Sequence, residues 1–180
     1  MRHFLQIATG VDVQPLLLAL YRQPRLWNQN RIRTTYPGTP HAEVDDILLR
    51  FQAPDSNVVD ENETVWYPAI AALPEARALV FALMARVQGE RLGRVLLTRL
   101  PPGKTIARHA DAGSPAVYYE RFHVSLQCPP EALFRAGDEV VWMAPGEAWW
   151  FNNQAEHQVW NEGETDRIVL IVDIRCARLT

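Results

Sequence analysis

The chain has 180 residues, 48% of them apolar and 22% charged, with a formal net charge of −3 at neutral pH. These proportions suit one globular domain with a sizeable core, and they offer no bulk attraction to nucleic acid or anionic lipid. Two cysteines, Cys128 and Cys176, lie outside any CxxC or Cys/His cluster, which excludes zinc-ribbon and dithiol redox chemistry; reduced buried thiols are expected.

In chain order, His3 to Ala8 reads as a first strand that Gly10 breaks. Asp12 has the chemistry of an N-cap, and the helix it starts runs to about Tyr21 with Leu16, Leu17 and Leu20 toward the core. Its apolar run, LLLAL, is too short to span a bilayer and has no signal-peptide cleavage pattern, so a soluble, cytoplasmic protein with no membrane partner is expected. Residues 23–40 are rich in Pro, Asn and Arg, with Tyr36-Pro37-Gly38 as turn punctuation. Such a stretch is either a solvated surface loop or a lid that binds substrate, in which case Arg31, Arg33, His41 and the later Arg50 are candidate contacts.

DILLRF, Asp46 to Phe51, reads as a strand, and the acidic segment from Ala53 to Trp66 as a loop. Leu73 to Gln88 carries the clearest helical period: Ala76, Leu79, Val80, Leu83 and Val87 share a face, Pro74 and Glu75 suit the first turn, and Gly89 suits the stop. After Gly93 short β-rich runs alternate with Pro/Gly turns. Eight strands are expected: 94–100, 105–109, 118–128, 133–135, 139–143, 147–151, 157–161 and 167–175. That pattern predicts a mainly β fold, a double-stranded β-helix or jelly roll of the cupin-like kind with N-terminal and packing helices. No linker divides the chain, so a single domain over 1–180 is expected, with an α/β scaffold to about residue 90 and the jelly-roll core from about 91 to 176.

The chemistry concentrates in the second half. His109 and Asp111 are two residues apart, so on an extended segment both leave the same face. With His157 as third ligand they would form a two-histidine, one-carboxylate facial set with open metal positions, the arrangement of non-haem Fe(II) oxygenases. The alternative for His157 is a neutral, barrel-lining imidazole. Arg167 heads the apolar run IVLIVDI, where a guanidinium inside a barrel calls for an anion or for a structural ion pair such as Asp173. Arg121 and His123 repeat the two-residue spacing in YYERFHVSL, with Phe122, Val124 and Leu126 opposite, and Thr98 sits on a third strand, LGRVLLTRL. Trp149 and Phe151 share a face that Trp150 does not, and packing is the expected role of all three.

The ordered pieces LLTRLPPGKTIARHAD, RFHVSL and GEAWWFNNQAEHQVWNEGETDRIVLIVDIR resemble the aspartyl/asparaginyl β-hydroxylase family of Fe(II)- and 2-oxoglutarate-dependent dioxygenases. The resemblance covers just under half of the chain. It implies that His109 and His157 are metal histidines. It further implies that Arg167 meets the distal carboxylate of 2-oxoglutarate, and that Arg121, His123 and Thr98 are additional contacts to this co-substrate. Vertebrate members have a glycine where this chain has Asp111, so a complete triad is expected here, with a two-histidine site as the fallback. The implied reaction consumes Fe(II)-bound 2-oxoglutarate and O2 to hydroxylate an unactivated C–H. The substrate is an Asp or Asn residue of a polypeptide, or a free amino acid or other small carboxylate. A metal-dependent cupin isomerase or lyase, and a non-catalytic jelly-roll binding module, are the competing readings. Against them stand the small number of histidines and the intact set His109, Asp111 and His157.

Overall fold

The computed structural model describes residues 2–55 and 62–177. Its frame is set by β11 (Arg167–Cys176), whose first eight residues are all buried. A run such as RIVLIVDI has no polar face to give to solvent, so it belongs in the middle of a sheet covered on both sides. It lies there, antiparallel to β4 (Gly89–Leu100) on one edge and to β6 (Glu120–Gln127) on the other. Outward from β6 come β9 (Ala148–Phe151) and then β1 (Phe4–Ala8). Outward from β4 come β2 (Asp45–Phe51) and the two-residue β3 (Val65–Trp66), completing seven strands.

A second, four-stranded sheet has the order β5 (Thr105–His109), β10 (His157–Asn161), β7 (Ala132–Ala136), β8 (Glu139–Val141). Burial alternates along β7 and β10, as it must where one face meets the core and the other meets water. The chain is mainly β, and its two antiparallel layers make the expected jelly roll.

The large sheet separates two cores. On its outer face Phe122, Val124, Leu126, Ile168, Leu170 and Val172 pack against α1 (Gln14–Arg22) and α4 (Pro74–Arg86) through Leu16, Leu20, Val80 and Leu83. Between the sheets, Phe4, Leu100, Phe134, Phe151 and Val159 fill one end. Leu48, Phe51, Leu96, Val169 and Ile171 line the other. The polar residues of β4, β6 and β11 that face inward therefore sit between these two apolar groups.

Local differences from the sequence reading have physical causes. Val13, not Asp12, is the cap of α1; the Asp12 carboxylate instead accepts a hydrogen bond from the Gln14 N–H at 3.3 Å. Gln88 takes the left-handed conformation that ends α4, at φ 53°. Gly89 is demanded by packing, since a Cβ there would meet Ile174 Cγ2 at 2.5 Å. The short helix α2 (Ile32–Thr35) interrupts the expected 23–40 loop, β3 lies within the expected 53–66 loop, and α3 (Ala69–Ala72) follows in a stretch given no expectation. Residues 56–61 of that loop fall outside the described residues. The expected strand 118–128 starts only at Glu120, because Pro115 directs Ser114–Tyr118 into one helical turn, α5. Both cysteines are free, and among the described residues no helix is long and apolar enough to cross a membrane.

Candidate metal centre

Pairing of β5 with β10 sets His109 directly opposite His157, with ring centroids 4.2 Å apart. Each imidazole is oriented the same way. The Nδ1 of His109 lies 2.7 Å from the Ala107 carbonyl, and the Nδ1 of His157 lies 2.9 Å from the Ala155 carbonyl. A carbonyl only accepts, so each Nδ1 carries the proton and each Nε2 keeps its lone pair. The Nε2 of His109 is buried without a hydrogen-bond partner. Metal-ligating histidines are held in this manner, the spare N–H anchored on an acceptor and the other nitrogen free.

Asp111 lies just past the end of β5, so alternation along a strand does not by itself aim it. Its N–H donates to the Asn153 carbonyl at 3.0 Å, and Arg121 Nη1 donates to its Oδ2 at 2.5 Å. Ligand atoms of His109, Asp111 and His157 all lie within 4.8 Å of one another. Arg121 is in turn clamped by Asp173, its cross-strand partner in the β6–β11 register, through Nε at 2.7 Å and Nη2 at 2.9 Å. Burial alone would raise the Asp111 pKa, but Arg121, His157 and His109 outweigh it and hold the carboxyl below its ordinary value. Burial, offset in part by Asp111, lowers His157 to about 4. Two imidazoles that point away from their carbonyl anchors and an ionised carboxylate make a donor set that suits a divalent transition metal.

Behind His157 the space between the sheets is aromatic. Phe134 stacks on His123 at 5.4 Å and contacts His157 at 6.0 Å, and Arg167 lies over the same ring at 5.8 Å. Arg167 is 1% exposed yet pairs with no carboxylate among the described residues, and its Nη2 has no partner. Burial lowers its pKa, with Cys128 beside it. His123 Nδ1 is likewise buried and unpartnered, and burial together with Arg167 holds the ring neutral, well below its ordinary pKa. Arg167 Nη2 and His123 Nδ1 are thus two buried polar atoms left without hydrogen-bond partners, a costly arrangement in an apolar space.

In front of the histidines opens a cavity of about 640 Å³, walled by Arg33, His41, Phe51, Arg94, Asp111 and Arg121 among others. His41 sets its ring edge against His109 at 4.9 Å, and burial and Arg33 keep it neutral. Arg33 makes a two-pronged pair with Asp46, at 2.8 and 2.9 Å. The Thr98 hydroxyl completes that group, donating to Asp46 at 2.8 Å and accepting from Arg33 at 3.0 Å.

The structure therefore brings His109, Asp111 and His157 together with Arg121, and places His123 and Arg167 together behind them. Thr98 belongs to a separate group with Asp46 and Arg33. Of the loop residues, Arg33 and His41 reach the cavity; Arg31 is exposed and Arg50 instead packs on Trp66 at 5.2 Å. Arg94, Asp46 and Asn153 were not singled out by the sequence. Arg94 shares the inward face of LGRVLLTRL with Leu96 and Thr98, so strand alternation carries its signal.

A two-sheet β-helix with two histidines and an aspartate gathered between its layers defines a jelly-roll protein with a cluster of side chains that could hold a metal ion. The chain belongs to the aspartyl/asparaginyl β-hydroxylase family, whose model matches residues 58–176, and as a member it is an oxygenase of the hydroxylating kind. Among solved structures it is similar in fold to a 2OG-Fe(II) oxygenase family oxidoreductase from Burkholderia pseudomallei, at 15% identity and TM-score 0.58 over 87% of this chain and 77% of that one. It is also similar to a Pseudomonas putida prolyl-4-hydroxylase, at 15% identity and TM-score 0.57 over 98% of this chain and 94% of that one. No curated protein matches it by sequence.

Proposed function

We propose that the protein is an Fe(II)- and 2-oxoglutarate-dependent hydroxylase acting on an Asp or Asn residue, or on a free amino acid or other small carboxylate. The observation that carries this reading is the matched pair of imidazoles, each fixed through Nδ1 on a backbone carbonyl and each with a ligand atom within 4.8 Å of one on Asp111. His109, Asp111 and His157 would hold the metal. Iron held there would supply O2 activation: 2-oxoglutarate would give succinate and CO2, with one oxygen atom entering succinate and the other the product hydroxyl.

The remaining residues position and exclude. Arg167 and His123 would receive the co-substrate, whose distal carboxylate matches the planar guanidinium fork. Arg121 and Thr98, to which the family resemblance also assigns co-substrate contacts, have carboxylate partners of their own in this chain. Arg121 acts through Asp111, holding it ionised and aimed. Thr98 acts through Asp46, which fixes Arg33 at the cavity wall. Apolar walls keep bulk water from the reacting C–H.

The reading is tested by supplying the purified protein with Fe(II), 2-oxoglutarate and air. One iron per chain and O2-dependent succinate formation are expected, with both lost in His109→Ala and His157→Ala. Retention of iron and turnover in either variant would reject this ligand set.

A further inference from the structure

Among the described residues the cavity wall bears three arginines, two of which have acid partners. Asp46 neutralises Arg33, and Asp111 with Asp173 neutralises Arg121. Arg94, on β4, has no carboxylate partner among the described residues. Its guanidinium lies over the Phe51 ring at 4.8 Å, and its Nε is shielded from solvent with nothing to bond. Among the described residues of the wall Asp111 is the one acid, and its carboxylate is already bound by Arg121 and belongs to the candidate ligand cluster. Much of the remaining wall is apolar: Ile32, Phe51, Leu96, Pro115, Ala116 and Ile171. Burial lowers the Arg94 pKa; Asp173 and Asp111 offset this in part from a distance, but both carboxylates are already bonded to Arg121.

A partly buried cation is costly unless it meets an anion, and a guanidinium fork best meets a carboxylate through two parallel hydrogen bonds. We infer that Arg94 is the anchor for the anionic group of the prime substrate, and that this substrate is a small carboxylate with an apolar body. The carboxylate bonds to Arg94, the apolar body lies along Leu96, Ile171 and Pro115, and a C–H of that body is presented toward His109 and Asp111. The inference rests on the hydroxylase reading and narrows it: a free apolar acid is favoured over an Asp or Asn side chain.

The test is calorimetric, using the full chain with Zn(II) as an oxygen-inert substitute for iron and saturating 2-oxoglutarate. The probes are 4-methylpentanoate, cyclohexanecarboxylate and L-leucine, with the primary amides of the first two as neutral counterparts. The expected result is that the carboxylates bind at least tenfold more tightly than their amides. Arg94→Gln should erase that preference and Arg94→Lys should restore part of it, with thermal unfolding midpoints near wild type showing that both variants fold. Equal binding of acids and amides to the wild type, or a preference that survives in Arg94→Gln, would overturn the assignment. Binding of Zn(II) and 2-oxoglutarate is read in the same instrument before any probe is added. Its failure would sink the hydroxylase reading, while the acid-to-amide ratio would still decide Arg94.

Discussion

At the scale of single residues, the centre is a chain of orientations that ends on backbone and on one buried ion pair. The carbonyls of Ala107 and Ala155 orient the two imidazoles; Asp173 orients Arg121, which orients Asp111. That His109, Asp111 and His157 would gather was legible because side-chain type and spacing mark them directly. Their supports were not, because any residue supplies a carbonyl and because Asp173 is named as Arg121's partner only by strand register. Arg121 bridges two carboxylates that are themselves nearly shielded from water, so removing it strands both. Arg121→Leu is expected to destabilise the metal-free protein by about 3–5 kcal/mol, the usual consequence of breaking one side of a buried pair. Urea denaturation checks this, and a loss below about 1 kcal/mol would mean that the pair is solvated.

At the scale of elements, antiparallel pairing of β5 with β10 brings into contact two histidines that are far apart in sequence. The strand runs after Gly93 predicted most of the second half, since alternation and Pro/Gly turns mark strands directly. Partner choice was not readable in the same way. That β1 and β2 join the C-terminal strands in one sheet depends on long-range packing, to which local pattern is blind. The one-turn helix α5 was hidden for a related reason, as five residues are too few to show a period. Gly89 shows packing overriding backbone preference, and its substitution reads the contact between the start of β4 and β11. Gly89→Ala is expected to cost about 1–3 kcal/mol through overpacking against Ile174. In an Ile174→Ala background, which removes Cγ2, the cost of Gly89→Ala should shrink in thermal or urea unfolding. An undiminished cost would place the strain elsewhere.

At the scale of the whole molecule, helices seal the outer face of the large sheet, which leaves the space between the sheets to polar chemistry. Burial there holds His41, His123 and His157 neutral, and stability should register it. Unfolded, His157 takes up a proton near its ordinary value of 6.5; folded, it resists until about 4. Because the unfolded state binds more protons between those values, acidification from pH 6.5 toward 4 destabilises the metal-free fold. The slope is about 1.4 kcal/mol per pH unit and the total about 3 kcal/mol from this one group. Between pH 6.5 and 5, where ordinary carboxylates stay ionised, the slope should be shallower in His157→Gln. An identical slope in the variant would show that His157 is not held neutral.

The central claim is that one metal ion and 2-oxoglutarate share the space between His109, Asp111, His157 and Arg167. The most direct measurement is an anaerobic titration of the protein with Fe(II) and then 2-oxoglutarate, following the weak visible charge-transfer band of the chelate. The account predicts a band that saturates at one equivalent of iron, vanishes in His157→Ala, and in Arg167→Ala needs at least tenfold more 2-oxoglutarate. A folded, iron-loaded protein that gives no band, or an Arg167→Ala variant that titrates like wild type, would contradict it.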